Sequence, residues 1–210
     1  MDKIDIIKKL MDEKLVAVIR AESKEQGIKI VDAVYRGGIK FLEVTMTVPG
    51  AVSIIEELTR VYKDKDVVIG AGTVLDPETA RACILAGAQF VVAPSLNPDV
   101  VRLCNRYRIP IIPGAATVNE IIACLELGVD IVKLFPGNLF SAKGIKDFKA
   151  PLPQANFMPT GGVNIENIRE WIQSGAVAVG IGGNLTAGAK TGDYDAVTRE
   201  AKRFIEALSQ

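Results

Sequence analysis

This sequence of 210 residues has no histidine at all. That absence removes the Ser-His-Asp and Cys-His nucleophile pairs, the histidine general base, and haem or zinc sites of the usual kind. A zinc-dependent aldol cleavage, which normally draws on His ligands, goes with them. Cysteine is scarce and unpaired by motif: Cys83, Cys104 and Cys124 are far apart and form no C-x-x-C. Each has apolar residues three or four places away at helical spacing, so we expect buried structural thiols in a reducing compartment. Charge of one sign is lacking too. Twenty-five Lys and Arg balance twenty-five Asp and Glu, which argues against a basic face for nucleic acid. No run approaches the roughly 18 apolar residues that span a bilayer, and Met1–Asp5 is too charged for an export signal. The expectation is a cytoplasmic protein that engages neither membrane nor nucleic acid.

What is present is an alternation. Short β-branched runs begin near Val16, Phe41, Val67, Phe90, Ile111, Ile131, Asn156 and Val177, about 20 to 26 residues apart. That is the length of one strand plus one crossover helix. Between them lie helical stripes: Ile28, Val31 and Tyr35; Ile55, Leu58 and Tyr62; Val118, Ile121, Ile122 and Leu125; Ile165, Ile168 and Ile172. Trp171 belongs to the last helix and reads as packing. Asp76-Pro77 and Asn97-Pro98 are cap-then-proline helix starts. A glycine recurs just past a helix at Gly38, Gly87, Gly128 and Gly175, at intervals of 49, 41 and 47 residues, or two βα units each time.

Eight such units in one domain spanning residues 1–210 predict a closed (β/α)8 TIM barrel with parallel strands and right-handed crossovers. The open doubly wound sheet is the alternative, but Arg20-Ala-Glu-Ser23 offers no glycine-rich turn after the first strand. Met1–Lys14, with Ile4, Ile7 and Met11 at helical spacing, is expected to cap the N-terminal end of the barrel.

In such a barrel, chemistry sits at the C-terminal strand ends, so a charge inside an apolar strand is informative. Glu43 and Thr45 share one face of the second strand. Lys133 lies in Ile131-Val-Lys-Leu-Phe135, pointing inward if Val132 and Leu134 face the helices. A buried ammonium costs several kcal/mol unless paired, so a lysine there tends to lose its proton. A neutral amine can form a Schiff base with a carbonyl substrate, and a carboxylate such as Glu43 can move the accompanying protons. The competing reading is a buried Lys133–Glu43 ion pair, or a lysine that snorkels to solvent. The Asp-x-Lys-x-x-Asp motif of phosphosugar decarboxylase barrels is absent, because Asp130 precedes the lysine by three and Pro136 follows it by three.

Two glycine pairs follow the last two strands: Thr160-Gly161-Gly162 and Gly182-Gly183-Asn184. Loops in those places hold phosphate in this fold, through open backbone N–H groups. Gly70-Ala-Gly-Thr73 ends the third strand with a hydroxyl at the mouth. Arg20 ends the first strand and could grip a carboxylate. Pro94 and Pro113 close the fourth and fifth strands and shape the rim.

The chain resembles the class I 2-keto-3-deoxy-6-phosphogluconate (KDPG) aldolases, often bifunctional with 4-hydroxy-2-oxoglutarate (KHG) cleavage. The resemblance runs from Val16-Ala-Val-Ile-Arg20 to the C-terminal helix. It rests on Leu42-Glu-Val-Thr45, Gly70-Ala-Gly-Thr-Val74, Lys133-Leu-Phe-Pro136 and Pro159-Thr-Gly-Gly162. It implies that Lys133 forms the pyruvyl Schiff base and Glu43 is the acid/base. Thr73 would hold the pyruvate carboxylate, with Pro94 and Phe135 lining the pocket. Thr160, Gly161, Gly162, Gly182 and Gly183 would take the phosphate, with no cofactor or metal and typically a homotrimer. Two departures stand out. One branch has arginine where this chain has Thr47, so Arg20 is expected to supply the carboxylate contact. Asn184 stands where some members have serine. The expected substrate is a phosphorylated 2-keto-3-deoxy sugar acid that releases pyruvate. The alternatives are KHG cleavage, a galactonate epimer, and a non-catalytic phosphate-binding barrel.

Overall fold

The computed structural model describes residues 1–209. Its parallel strands are β1 (Leu15–Ile19), β2 (Phe41–Thr45), β3 (Val68–Gly72), β4 (Val91–Val92), β5 (Ile111–Ile112), β6 (Gly114–Ala115), β7 (Val132–Leu134), β8 (Phe157–Pro159) and β9 (Val179–Ile181). Helix α1 (Lys3–Glu13) precedes β1. After it come α2 (Lys24–Arg36), α3 (Ala51–Val61), α4 (Pro77–Leu85), α5 (Pro98–Arg106), α6 (Val118–Glu126), α7 (Ala142–Lys149), α8 (Ile168–Gln173) and α9 (Tyr194–Ser209). Strands pair in the order β5-β4-β3-β2-β1-β9 and β6-β7-β8. A parallel bridge between Thr160 and Gly180 joins β8 to β9, so the sheet curls into the expected barrel.

The fifth barrel strand departs from the expected pattern. Pro113 does not end it but splits it into β5 and β6, because proline has no N–H for the ladder. Its carbonyl still serves, accepting from the Lys133 N–H at 2.9 Å. Helix ends follow the sequence closely. The Asp76 side chain accepts from Thr79 N–H, and Asn97 accepts from Asp99 and Val100 N–H. Gly38, Gly87, Gly128 and Gly175 all take φ between 74° and 104°, the left-handed turn that stops a helix.

Two apolar clusters fill the molecule, and strand alternation sorts residues between them. Val16, Phe41, Val68, Phe90, Val92, Ile112, Ile131 and Met158 pack inside the barrel against Ile6 and Leu10 of α1. Their chain neighbours Ala17, Leu42, Ile69, Val91, Ile111, Val132 and Phe157 face the helices. Helix α1 thus closes one end of the barrel. A capping box between Asp2 and Asp5 starts it. Ion pairs pin it: Lys3 to Asp130 at 2.8 Å, Lys9 to Asp66, and Glu13 to Lys40 at 2.8 Å. Two helical stripes are turned from their expected faces. On α2, Ile30, Ala33 and Val34 are buried with Val31, while Ile28 and Tyr35 pack against the core only partly buried. On α6, Ile121 and Cys124 are buried while Val118 and Ile122 face outward. All three cysteines are free and buried, and desolvation pushes their thiols up to about 11 or 12.

Candidate active site

Inward register continues past the apolar layer. Two residues beyond Phe41 comes Glu43, and two beyond Ile131 comes Lys133. Glu43 pairs in register with Val18 and Gly70, and Lys133 with Gly114 and Met158. Glu43 is wholly buried and Lys133 is 4% exposed, so the lysine does not snorkel to solvent.

Nor do the two form the ion pair that was the competing expectation. Neither carboxylate oxygen of Glu43 has a hydrogen-bond partner among the described residues. Burial pushes the Glu43 carboxyl pKa up and the Lys133 amine pKa down, and their mutual attraction opposes both shifts without reversing them. The Arg20 guanidinium adds to the lowering at Lys133. A carboxyl pushed toward its protonated form near an amine pushed toward its neutral form is the arrangement that suits a carbonyl-attacking lysine. The Lys133 Nζ lies 4.7 Å from the Phe135 ring centroid.

Phe135 and Val18 connect this pair to a cavity of about 410 Å³ at the open end of the barrel. Its walls bring together Arg20, Thr160, Gly161, Gly162, Gly182, Gly183 and Asn184, all singled out from the sequence. Gly161 and Gly162 have φ of 95° and 77°, where a side chain is strained. At Gly183 there is no such strain, and an added Cβ would meet nothing within 4 Å. Its openness leaves backbone free for a ligand to approach. The Thr160 Oγ1 is buried with no hydrogen-bond partner among the described residues.

Thr73 and Pro94 end β3 and β4 at the same end of the barrel but do not line that cavity. Thr73 adopts φ 59°, unusual for a β-branched residue.

Comparisons with known proteins point to one family. A family model for KDPG and KHG aldolase matches residues 6–200. The 2-dehydro-3-deoxy-phosphogluconate aldolase of Treponema pallidum is 34% identical over 207 residues, covering 97% of each chain. The chain belongs to the KDPG and KHG aldolase family. Its similarity extends to the Escherichia coli 2-dehydro-3-deoxy-6-phosphogalactonate aldolase, at 32% identity over 93% of this chain and 95% of that one. A Legionella pneumophila KDPG aldolase, solved with pyruvate captured as a covalent carbinolamine, superposes with a TM-score of 0.83 at 30% identity, covering 90% of this chain and 92% of that one.

The structure adds contacts at two residues of the quoted motifs, Thr45 and Gly72, and a third residue, Asn138, that no motif of this family member marks. The Thr45 hydroxyl donates to Ile19 O at 3.0 Å and meets the Thr47 hydroxyl at 2.7 Å. These contacts fasten the end of β2 to the end of β1, beside Arg20. Gly72 stands across the register from Thr45, and a Cβ there would lie 2.0 Å from Glu43 Oε1. The missing side chain is the space the carboxyl occupies. Both lie on inward strand positions, and that alternation is the signal that finds them. Asn138, in the turn Gly137–Leu139 after β7, lines the cavity with the glycine pairs. No periodicity marks it.

Proposed function

We propose that this protein is a class I aldolase that cleaves 2-keto-3-deoxy-6-phosphogluconate to pyruvate and glyceraldehyde 3-phosphate. The observation that carries the reading is the buried Lys133 amine, free of any ion pair, at the same level of the barrel interior as the buried Glu43 carboxyl, whose oxygens have no hydrogen-bond partner among the described residues. The Lys133 Nζ attacks the C2 ketone, and the Glu43 carboxyl supplies the proton with which the carbinolamine oxygen leaves as water. The Glu43 carboxylate then takes the proton of the C4 hydroxyl, directly or through water. The C3–C4 electron pair flows into the iminium, so glyceraldehyde 3-phosphate departs and an enamine remains. Protonation at C3 and hydrolysis of the imine release pyruvate and restore Lys133. The iminium is the electron sink, and the apolar layer of Ile131 and Met158 keeps the amine from being held charged.

Arg20 fits the substrate carboxylate, as its charge acts on both Glu43 and Lys133 and Thr47 is too short to reach as an arginine would. Thr73, Pro94 and Phe135 frame the pyruvyl end in this reading. Thr160, Gly161, Gly162, Gly182, Gly183 and Asn184 meet the phosphate. KHG cleavage uses the same lysine and carboxyl, and a KHG/KDPG aldolase of Escherichia coli is 32% identical to this chain, which supports a second activity on the unphosphorylated acid.

A homotrimer completes the proposal. Leu75, Leu85, Tyr107, Val118 and Ile122 are exposed apolar residues on or beside the successive helices α4, α5 and α6, the kind of surface that oligomers cover. Ile122→Glu should yield monomers in sedimentation, and a trimer that survives it places the interface elsewhere.

The decisive experiment is borohydride reduction in the presence of pyruvate, followed by peptide mass analysis. Labelling at Lys133 is expected. An unlabelled protein would leave only a non-catalytic phosphate-binding barrel. Cleavage rates on phosphorylated and unphosphorylated keto acids then rank the two substrates.

A further inference from the structure

We propose that Asn138 is a specificity-determining residue, whose side-chain amide donates to the phosphate of the substrate and makes that end of the site selective for an anionic tail. This rests on the aldolase reading above.

The argument begins with how the turn is held. Gly137 N–H donates to Thr160 O at 2.7 Å. A side chain at Gly137 would run into Gly161 O at 2.6 Å, and one at Gly162 would meet Asn138 Cβ at 2.9 Å. The turn after the lysine strand and the first glycine pair are therefore in backbone contact, with no side chain between them. Asn138 stands over that contact, its Oδ1 3.6 Å from where a Gly161 Cβ would be. It lines the 410 Å³ cavity, and no hydrogen bond among the described residues engages its amide.

The charge inventory says why a neutral donor matters here. Arg20 is the one charged side chain among the cavity's lining residues, and it is assigned to the substrate carboxylate. The phosphate is then left to backbone N–H groups and neutral side chains. Asn184 already directs its Nδ2 to Val163 O at 3.3 Å. The amide of Asn138 is uncommitted. A donor to a charged oxygen is worth more than one to a neutral oxygen, and an amide supplies it without the desolvation a lysine would bring.

Asn138→Asp is the sharp test, because it keeps shape and exchanges the donor for an anion. The side chain is solvent-exposed and unbonded, so the fold has no stake in it. For the phosphorylated substrate, we expect KM to rise about 10- to 100-fold with kcat little changed, as for loss of uniform binding. The ratio of kcat/KM on the phosphorylated over the unphosphorylated acid falls correspondingly, and inhibition by inorganic phosphate weakens. Raising the salt narrows the gap, since the added repulsion is screened. Asn138→Ala should show a smaller shift in the same direction.

A ratio within twofold of wild type in both variants would overturn the assignment. Should wild type trap pyruvate at Lys133 while that ratio stays fixed, Asn138 alone is misassigned. Should wild type trap no pyruvate, the aldolase reading falls and this inference with it.

Discussion

Replacing Gly72 by alanine adds a single methyl at the centre of the site. That methyl would stand 2.0 Å from Glu43 Oε1 and 2.6 Å from both Cδ and Cγ, where ordinary contact begins at 3.4 Å. The carboxyl must retreat by about 1.4 Å, and the neighbouring inward residues leave it little room. A misplacement of about 1 Å in a reacting group costs about 100-fold in rate. We therefore expect kcat/KM to fall about 100-fold or more. Overpacking a core costs about 1–3 kcal/mol, and in a chain of this size each kcal/mol lowers Tm by about 2–4 °C. Gly72→Ala should thus remain folded at room temperature, and borohydride should still trap pyruvate on Lys133, although more slowly. The compensating change is Glu43→Asp, which shortens the side chain by one methylene. The double variant should be more active than the two single losses predict when added. Activity within threefold of wild type for Gly72→Ala would refute the claim that this space belongs to the Glu43 carboxyl.

Other outcomes follow from the same site. Lys133→Met should abolish pyruvate trapping and cleavage while leaving stability unchanged or slightly raised, since a buried amine gives way to an apolar side chain; a drop of several °C in Tm would contradict this. It should also change the pH dependence of stability. Between the lowered Lys133 pKa and the ordinary 10.5, the unfolded chain holds a proton the folded one lacks, so stability climbs with pH there. Glu43 works oppositely: folding retains its proton above 4.5, so stability declines as pH rises through the raised pKa. Urea titrations of wild type, Lys133→Met and Glu43→Gln across pH would show each slope vanish in turn. Arg20→Ala should raise KM about 10- to 100-fold through loss of a charge-assisted bond. If the pyruvate concentration needed for half-maximal trapping does not move, Arg20 serves the phosphate instead.

The barrel and the inward-facing Glu43 and Lys133 were readable because both rest on period. Phe41, Glu43 and Thr45 alternate against Leu42 and Val44, and burial on two sides enforces the alternation. Gly38, Gly87, Gly128 and Gly175 mark helix ends because few other residues take their φ. Harder to read was whatever depends on contacts between units. The outward turn of Val118 and Ile122 is set by how α6 meets its neighbours rather than by its own stripe. Proline at 113 reads locally as a stop, yet the paired strands on either side carry the ladder across it. The clearance at Gly72 and the backbone seat under Asn138 arise only when separate strands and loops are brought face to face.

Helix α1 stoppers one end of the barrel, and Lys133 lies below the cavity at the other. If Lys133 forms the imine as proposed, substrate and both products pass through that open end, with the carbon bound to the lysine deepest and the phosphorylated tail nearest the exit. After the bond breaks, the aldehyde is first in the queue to leave, and pyruvate follows only when the imine is hydrolysed. Traffic through this dead-end passage should be ordered, with pyruvate competing directly against substrate and the aldehyde phosphate inhibiting in a noncompetitive pattern.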